Sequence, residues 1–333
     1  VYQLHKYFRP LTIRKILFLG PVSSKIYICR YLLLGASITA TIFFIHVIIV
    51  PLVFKYSKTF QRGIIFSNFY VCIKMLCNSF TAAIPECRTY FLTVMLFTLT
   101  GLWHILPKSV NERLKTKLQQ TADKEELNSI FDEALATSKT PIILYAHGNA
   151  LARTAPHRVL LYQLFQKLDY HTIALDYRGY GDSTNVNPSE DGVVEDLLMV
   201  YDWIRTIIDK SDSPPPVFVW GHSLGNLDTL CSSLLDRPLP QPQGLILEAP
   251  FTTLEEEVAN YCVTPVRAFN RLRIYGRSEV RQGERGQSTV PILILHARDD
   301  IIVPYALGEK VRYTYLCLSV CLAFTPKLLN RLV

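Results

Sequence analysis

An α/β fold with a doubly wound, mostly parallel sheet, preceded by one membrane-spanning helix, is the architecture this sequence predicts. Three observations carry the expectation. From residue 142 onward, short β-rich runs alternate with helical patterns, the signature of successive βαβ units. Those β-rich runs are almost continuously apolar, as strands are when helices cover both faces of a sheet. One early stretch, residues 32–54 (LLLGASITATIFFIHVIIVPLVF), carries no formal charge and has the length to cross a bilayer core.

The elements follow in order. Residues 1–31 form a basic segment with Lys6, Arg9, Arg14, Lys15, Lys25 and Arg30. The chain opens on Val1 and is expected to be a fragment. The span at 32–54 is too long and too far from the start for a cleaved signal peptide. Lys55, Lys58, Arg62 and Lys74 follow it. The basic residues before the span outnumber those after it, which favours a cytosolic N-terminus and the larger part of the chain on the other side. Net charge is +7, much of it in these flanks, as expected beside anionic headgroups. No aromatic–basic groove or motif points to nucleic acid. Residues 55–106 read as a membrane-proximal segment. Within it, Tyr90–Leu106 is rich in β-formers and is expected to give one or two buried strands, a membrane-associated piece being the alternative.

The α/β domain is expected over 107–312. A polar helical stretch at 107–139 precedes strands at 142–145, 172–175, 217–220, 244–247 and 292–295. Helices are expected near 159–168, 193–208, 226–235 and 253–263. An atypical apolar tail occupies 313–333. The eight cysteines (Cys29, Cys72, Cys77, Cys87, Cys231, Cys262, Cys317 and Cys321) form neither a small disulfide scaffold nor a zinc motif, so free thiols are the expectation. A pair among Cys72, Cys77 and Cys87 stays open.

The strongest motif is Gly221-His222-Ser223-Leu224-Gly225, after the apolar run VFVW and before a helical pattern. A strand–turn–helix around G-x-S-x-G is the nucleophile elbow of α/β-hydrolases, which lifts the serine hydroxyl above the sheet. Both glycines are needed because side chains there would strike the neighbouring strand and helix. A serine hydroxyl needs a base and an orienting acid to become a nucleophile. The acid is expected after the last apolar run, in His296-Ala297-Arg298-Asp299-Asp300, with Asp300 favoured over Asp299. Two backbone N–H donors must face the oxyanion. Leu224 supplies one. The other belongs to the loop His147-Gly148-Asn149-Ala150, at Asn149 or Ala150, with His147 bracing the turn. The charges of Asp176–Ser183 (DYRGYGDS) are expected to pin their own loop. No metal or organic cofactor is implied.

These residues together resemble the α/β-hydrolase domain-containing protein 12 family of membrane monoacylglycerol and lysophosphatidylserine lipases. The likeness runs through FSNFY at 66–70, GLWHILP at 101–107, FDEALATSKTPIILYAHGNA at 131–150, HRVLLYQL at 157–164, DYRGYGDS at 176–183, VYDWI at 200–204, VFVWGHSLG at 217–225, LILEAPFTTLEEE at 245–257 and ILILHARDDIIVPYALGEK at 292–310. The resemblance implies an endoplasmic-reticulum membrane enzyme with a luminal active site. It also implies hydrolysis of an acyl ester in a single-chain lipid, with Ser223 as nucleophile and Asp300 as acid. The family's catalytic His lies well after the acid, whereas no His follows His296 here. Past Arg312 the sequence departs from the family, and a truncated or mis-spliced C-terminus is the expectation. The stretch from Asn260 to Thr289 is shorter than the family's lid region, and Tyr90–Thr100 looks inserted. Two other readings stay open: protein S-depalmitoylation by the same chemistry, and a catalytically inactive lipid-binding protein.

Overall fold

The computed structural model describes residues 21–66, 87–95, 98–226, 228–237, 240–253, 290–314 and 319–324. The chain divides into two compact units, Val1–Tyr56 and Ser57–Val333.

The described part of the first unit is helical throughout. Helix α1 (Pro21–Phe44) runs into a π-helical turn at Ile45–Ile49 and then into α2 (Val50–Tyr56). Pro51 follows that turn directly. Its ring removes an N–H from the ladder and crowds the preceding turn, and a wider π turn absorbs such a defect without breaking the helix. The Val50 N–H bonds Ile45 O, the five-residue step that defines the turn. Thr39 and Thr41 return their hydroxyls to Gly35 O and Ser37 O at 2.9 and 2.8 Å, so neither is left unpaired on an apolar helix. Cys29–Phe54 is long and apolar enough to cross a membrane, with mean hydropathy 2.3 over its most apolar window. At about 1.5 Å per residue it exceeds a hydrocarbon core of roughly 30 Å.

The second unit is built on an eight-stranded sheet: β1 (Cys87–Met95), β2 (Thr98–Ile105), β3 (Ile142–Ala146), β4 (His171–Leu175), β5 (Val217–His222), β6 (Gly244–Glu248), β7 (Ile292–Ala297) and β8 (Ser319–Phe324). Their order across the sheet is β1-β2-β4-β3-β5-β6-β7-β8. From β4 to β8 every pairing is parallel; β2 runs antiparallel to both β1 and β4. The five strands expected from sequence all form. Every residue of β3 and β4 is buried, as their unbroken apolar character requires.

The sheet takes in more chain than the expected domain of 107–312. Tyr90–Leu106 gives two strands, most of β1 and all of β2, which pair with each other, Phe91 opposite Gly101. Part of the tail supplies β8, paired with β7 from Ile292↔Ser319 to Ala297↔Phe324. β1 and β8 are the two edge strands of the sheet. There a strand needs only one partner, so its sequence is less constrained than a central strand's.

Helices α3 (Lys58–Ile65), α4 (Lys108–Gln120), α5 (Lys124–Ala136), α6 (Pro156–Lys167), α7 (Glu190–Ile208), α8 (Asp228–Leu235) and α9 (Tyr305–Thr314) complete the described unit. Local signals fix their starts. Asp123 caps α5 by accepting from Glu126 N at 2.8 Å, and Glu125 and Glu126 favour the positive end of the helix. Pro156 opens α6, where its missing N–H costs nothing. Ser189 caps α7, accepting from Gly192 N at 3.2 Å. On α5 the buried residues Ile130, Phe131, Ala134 and Leu135 recur at helical spacing. Trp103, Ile105, Tyr145, Val159, Tyr162 and Ala174 form one buried cluster between sheet and α6. Each large apolar side chain buried in this way contributes about 1.5–3 kcal/mol. The helix expected at 253–263 lies outside the described residues, as do Cys72 and Cys77; Cys87 is a free thiol.

Two buried histidines meet where β2 pairs with β4. His104 Nε2 lies 2.9 Å from His171 Nδ1, and the edge of Phe131 packs on His104 with ring centroids 5.3 Å apart. One imidazole must donate and the other accept, so the pair is neutral. Burial, then the neighbouring imidazole, holds His104 well below its ordinary range. Burial, then Arg113, brings His171 down to about 3. Unfolded imidazoles bind protons below pH of about 6.5, which this pair excludes. Stability is therefore complete above that pH and is lost as pH falls from about 6.5 toward 3, by up to about 1.4 kcal/mol per pH unit for each histidine. Unfolding measured against pH should show that slope. His104→Phe should reduce it, and an unchanged slope would remove this pair as its source.

Candidate active site

The sheet order reverses direction at β3: the chain continues to β4 on one side and to β5 on the other. Ligands of open α/β sheets sit at such a switch, beyond the carboxyl ends of the strands. The final register pair of β3 and β5 is Ala146↔Gly221. The loop carrying Gly148 and the turn carrying Ser223 therefore leave the sheet side by side.

Ser223 opens a short 3₁₀ turn (Ser223–Asn226) directly after β5 and has φ +50°. That left-handed conformation costs a residue with a Cβ roughly 1–2 kcal/mol. The surroundings enforce it. A Cβ on Gly221 would collide with Gly225 O and the Asn226 side chain, and one on Gly225 with Ala146 O. Asn226 Nδ2 donates to Glu248 O at 2.5 Å, and Trp220 Nε1 to Glu248 Oε2 at 3.0 Å, fastening the turn to the end of β6. Ser223 is partly exposed, while Leu224 and Gly225 are buried. Leu224 lies in the first turn of the 3₁₀ segment, where an N–H has no partner within the helix.

The second loop, His147-Gly148-Asn149-Ala150, packs on the first. A Cβ on Gly148 would meet His222 Nδ1 at 2.8 Å, so only glycine lets the loop lie against that ring. His222 is held low: burial lowers it, Glu248 opposes, Arg158 lowers it further and Asp300 opposes. His147 braces the turn from below. Its Nδ1 donates to Gly148 O at 2.7 Å, and its ring packs on Tyr177 and Tyr180 with centroids 4.6 and 5.0 Å apart. Its Nε2 faces Asp176 Oδ1 at 3.3 Å without hydrogen-bond alignment. Burial lowers His147 more than Asp176 raises it, so the ring is neutral. Tyr180 OH donates to Asn149 O at 3.0 Å.

Charges pin the neighbouring Asp176–Ser183 loop, as expected. Arg153 donates to Asp176 through its backbone N at 2.6 Å and Nη1 at 2.5 Å, and to both oxygens of Asp182 at 2.7 and 2.8 Å. Burial pushes Asp176 up, but Arg153 leads the groups that hold it below the ordinary carboxylate range. Arg178 binds Asp196 through its backbone N at 2.7 Å and Nη2 at 2.8 Å.

Asp300 and Asp299 part company after β7. Asp299 is exposed, whereas Asp300 is partly buried and its Oδ1 accepts from Ile302 N and Val303 N, both at 2.9 Å. His296 Nε2 donates to Val303 O at 2.8 Å, tying the far side of the same loop to the strand. Among the described residues no histidine hydrogen-bonds Ser223. None of them holds a cluster of three or more His, Cys, Asp or Glu side chains fit for a metal ion.

The arginines are what sequence reading passed over. Arg158 donates to three carbonyls, two of them in the Gly148 loop, and is buried. A signal existed. On α6 the buried positions are Arg158, Val159, Tyr162 and Phe165, so the arginine falls in phase with the apolar stripe.

Comparison with known proteins identifies the family and the fold. A family model described as serine aminopeptidase, S33 matches residues 137–282. An α/β-hydrolase structure from Vibrio vulnificus superposes with TM-score 0.54 at 16% identity, covering 84% of this chain and 88% of that one. Lysophosphatidylserine lipase ABHD12 of Danio rerio is 32% identical over 79% of this chain and 68% of its own length. That of Xenopus tropicalis is 36% identical over 63% of this chain and 53% of its own length. Human protein ABHD12B is 30% identical over 68% of this chain and 62% of its own length. The chain thus spans between about half and two thirds of the length of these curated relatives. On that identity, coverage and shared fold, the chain belongs to the ABHD12 family of carboxylic ester hydrolases with the α/β-hydrolase fold.

Proposed function

We propose that this protein is a membrane-anchored serine hydrolase that cleaves the acyl ester of single-chain lipids, lysophosphatidylserine and monoacylglycerol among them. The observation that carries the reading is Ser223, held at φ +50° where β5 meets the Gly148 loop. The activity for which the ABHD12 relatives are named supplies the substrate class.

Ser223 Oγ attacks the acyl carbonyl carbon, and its proton passes to an imidazole. The carbonyl oxygen becomes an oxyanion between the N–H groups of Leu224 and Asn149. The C–O bond to the alcohol then breaks, the leaving oxygen takes the proton, and the acyl group stays on Ser223. Water, activated by the same imidazole, releases the fatty acid and restores the serine. Asp300 orients the imidazole. β8 lies parallel to β7, and its last register pair sets Phe324 opposite Ala297, at the start of the Asp300 loop.

The anchor is the apolar helix within Cys29–Phe54. The basic residues before it support a cytosolic N-terminus and an active site in the lumen of the endoplasmic reticulum.

Purified full-length protein should release fatty acid from lysophosphatidylserine, and Ser223→Ala should abolish release. Asp300→Asn should lower the rate by about 10⁴-fold where the triad is complete. A protein that cleaves palmitoyl-cysteine and leaves lysolipids intact would move the substrate to the thioester class. In sealed microsomes, residues after 57 should resist added protease until detergent is present, and digestion without detergent would put the site on the cytosolic face.

A further inference from the structure

Two arginines five residues apart are both buried, yet their charges are handled differently. Arg153 contacts the carboxylates of Asp176 and Asp182, which neutralise it. Arg158, only 2% exposed, meets no carboxylate among the described residues. Its partners are three main-chain carbonyls: Nη1 reaches Ala152 O at 2.6 Å, and Nη2 reaches Ala150 O at 2.8 Å and Gly148 O at 3.4 Å. A cation removed from water without a counter-ion is costly unless dipoles gather round it. Here the dipoles are those of the loop that lies against the nucleophile turn.

The gathering has a directional consequence. In a trans peptide the C=O and the following N–H point opposite ways. Gly148 C=O, drawn toward Arg158 and His147 Nδ1, turns the Asn149 N–H outward. Asn149 C=O is taken instead by Tyr180 OH. Ala150 C=O returns to Arg158, and Leu151 reaches φ +62°, a left-handed conformation that a leucine adopts only under constraint. Among the described residues the Asn149 N–H donates to no protein atom.

We propose that Arg158 is a positioning residue for the oxyanion hole: its un-neutralised charge gathers the carbonyls of residues 148, 150 and 152 to one side of the loop, so that the Asn149 N–H projects free on the other. The inference rests on the hydrolase reading and deepens it. The charge acts a second time as a fixed positive potential near the loop, which favours an anionic tetrahedral intermediate over a neutral ester. The same field acts on His147, His157 and His222, all held below their ordinary range by burial first and with Arg158 among the further causes. Lysine is a poor substitute, because one ammonium does not reproduce a planar fork across three carbonyls.

The test compares two ligands of the full-length protein in detergent micelles. One is a lysolipid analogue with a trifluoromethyl ketone in place of the ester, whose hemiketal with Ser223 bears the oxyanion. The other is the matching ether, which has no carbonyl. Arg158→Gln should weaken the ketone by roughly 10- to 100-fold and leave the ether within about twofold, and Arg158→Lys should fall between Gln and wild type. A residue that only supports the fold would weaken both ligands together, so parallel losses overturn the proposal. Unchanged ketone affinity in folded variants overturns it too. Failure of both variants to fold would assign Arg158 to folding and overturn it as well. A wild-type protein that shows no preference for ketone over ether removes the hydrolase reading and takes this inference with it.

Discussion

The site depends on how closely two stretches of backbone approach at the carboxyl edge of the sheet. Gly225 lies against the Ala146 carbonyl with no room for a Cβ between them. That contact exists because β3 and β5 remain paired as far as Ala146 and Gly221. Their pairing depends in turn on a sheet centre whose strands are apolar on both faces. From the contact follow the left-handed backbone of Ser223, the proximity of the Gly148 loop to His222 and the exposure of Ser223 at the switch in strand order.

Buried charge is concentrated around the loops after β3 and β4, where it sets backbone direction. Asp176 joins the two loops by accepting from Arg153, and Arg153 also reaches Asp182. Breaking such a buried pair by deleting one partner typically costs about 3–5 kcal/mol, since the other charge is left stranded. The loops are thereby held without any help from substrate. An oxyanion hole needs that property, because donors that must reorganise during reaction lose much of their benefit.

Much of this was legible in the sequence, for physical reasons that differ between residues. The strands at 142–146, 171–175, 217–222, 244–248 and 292–297 were visible because central strands buried on both faces must be continuously apolar. Ser223 was visible because a serine with a glycine two residues to either side, directly after an apolar strand, has few structural uses besides this turn. Asp300 and Asp299 are adjacent carboxylates that sequence pattern alone does not separate, and the backbone N–H groups that Asp300 accepts from, Ile302 and Val303, follow from the turn of the loop. The sheet edges were harder. Tyr90–Leu106 has the composition of a strand and nearly the length of a membrane span, and β8 lies in a segment unlike the family. Arg158 was missed because a charged residue at the start of a helix reads as solvated. Its phase with Val159, Tyr162 and Phe165 was the contrary signal.

The backbone of Ser223 has a consequence for how the protein can change over generations. Glycine would relieve the left-handed strain there at once, and any drift toward it would be rewarded by a more stable fold. Stability and chemistry thus pull in opposite directions at this position. On the proposed chemistry, a lineage released from the need to hydrolyse would have a thermodynamic reason to discard the hydroxyl.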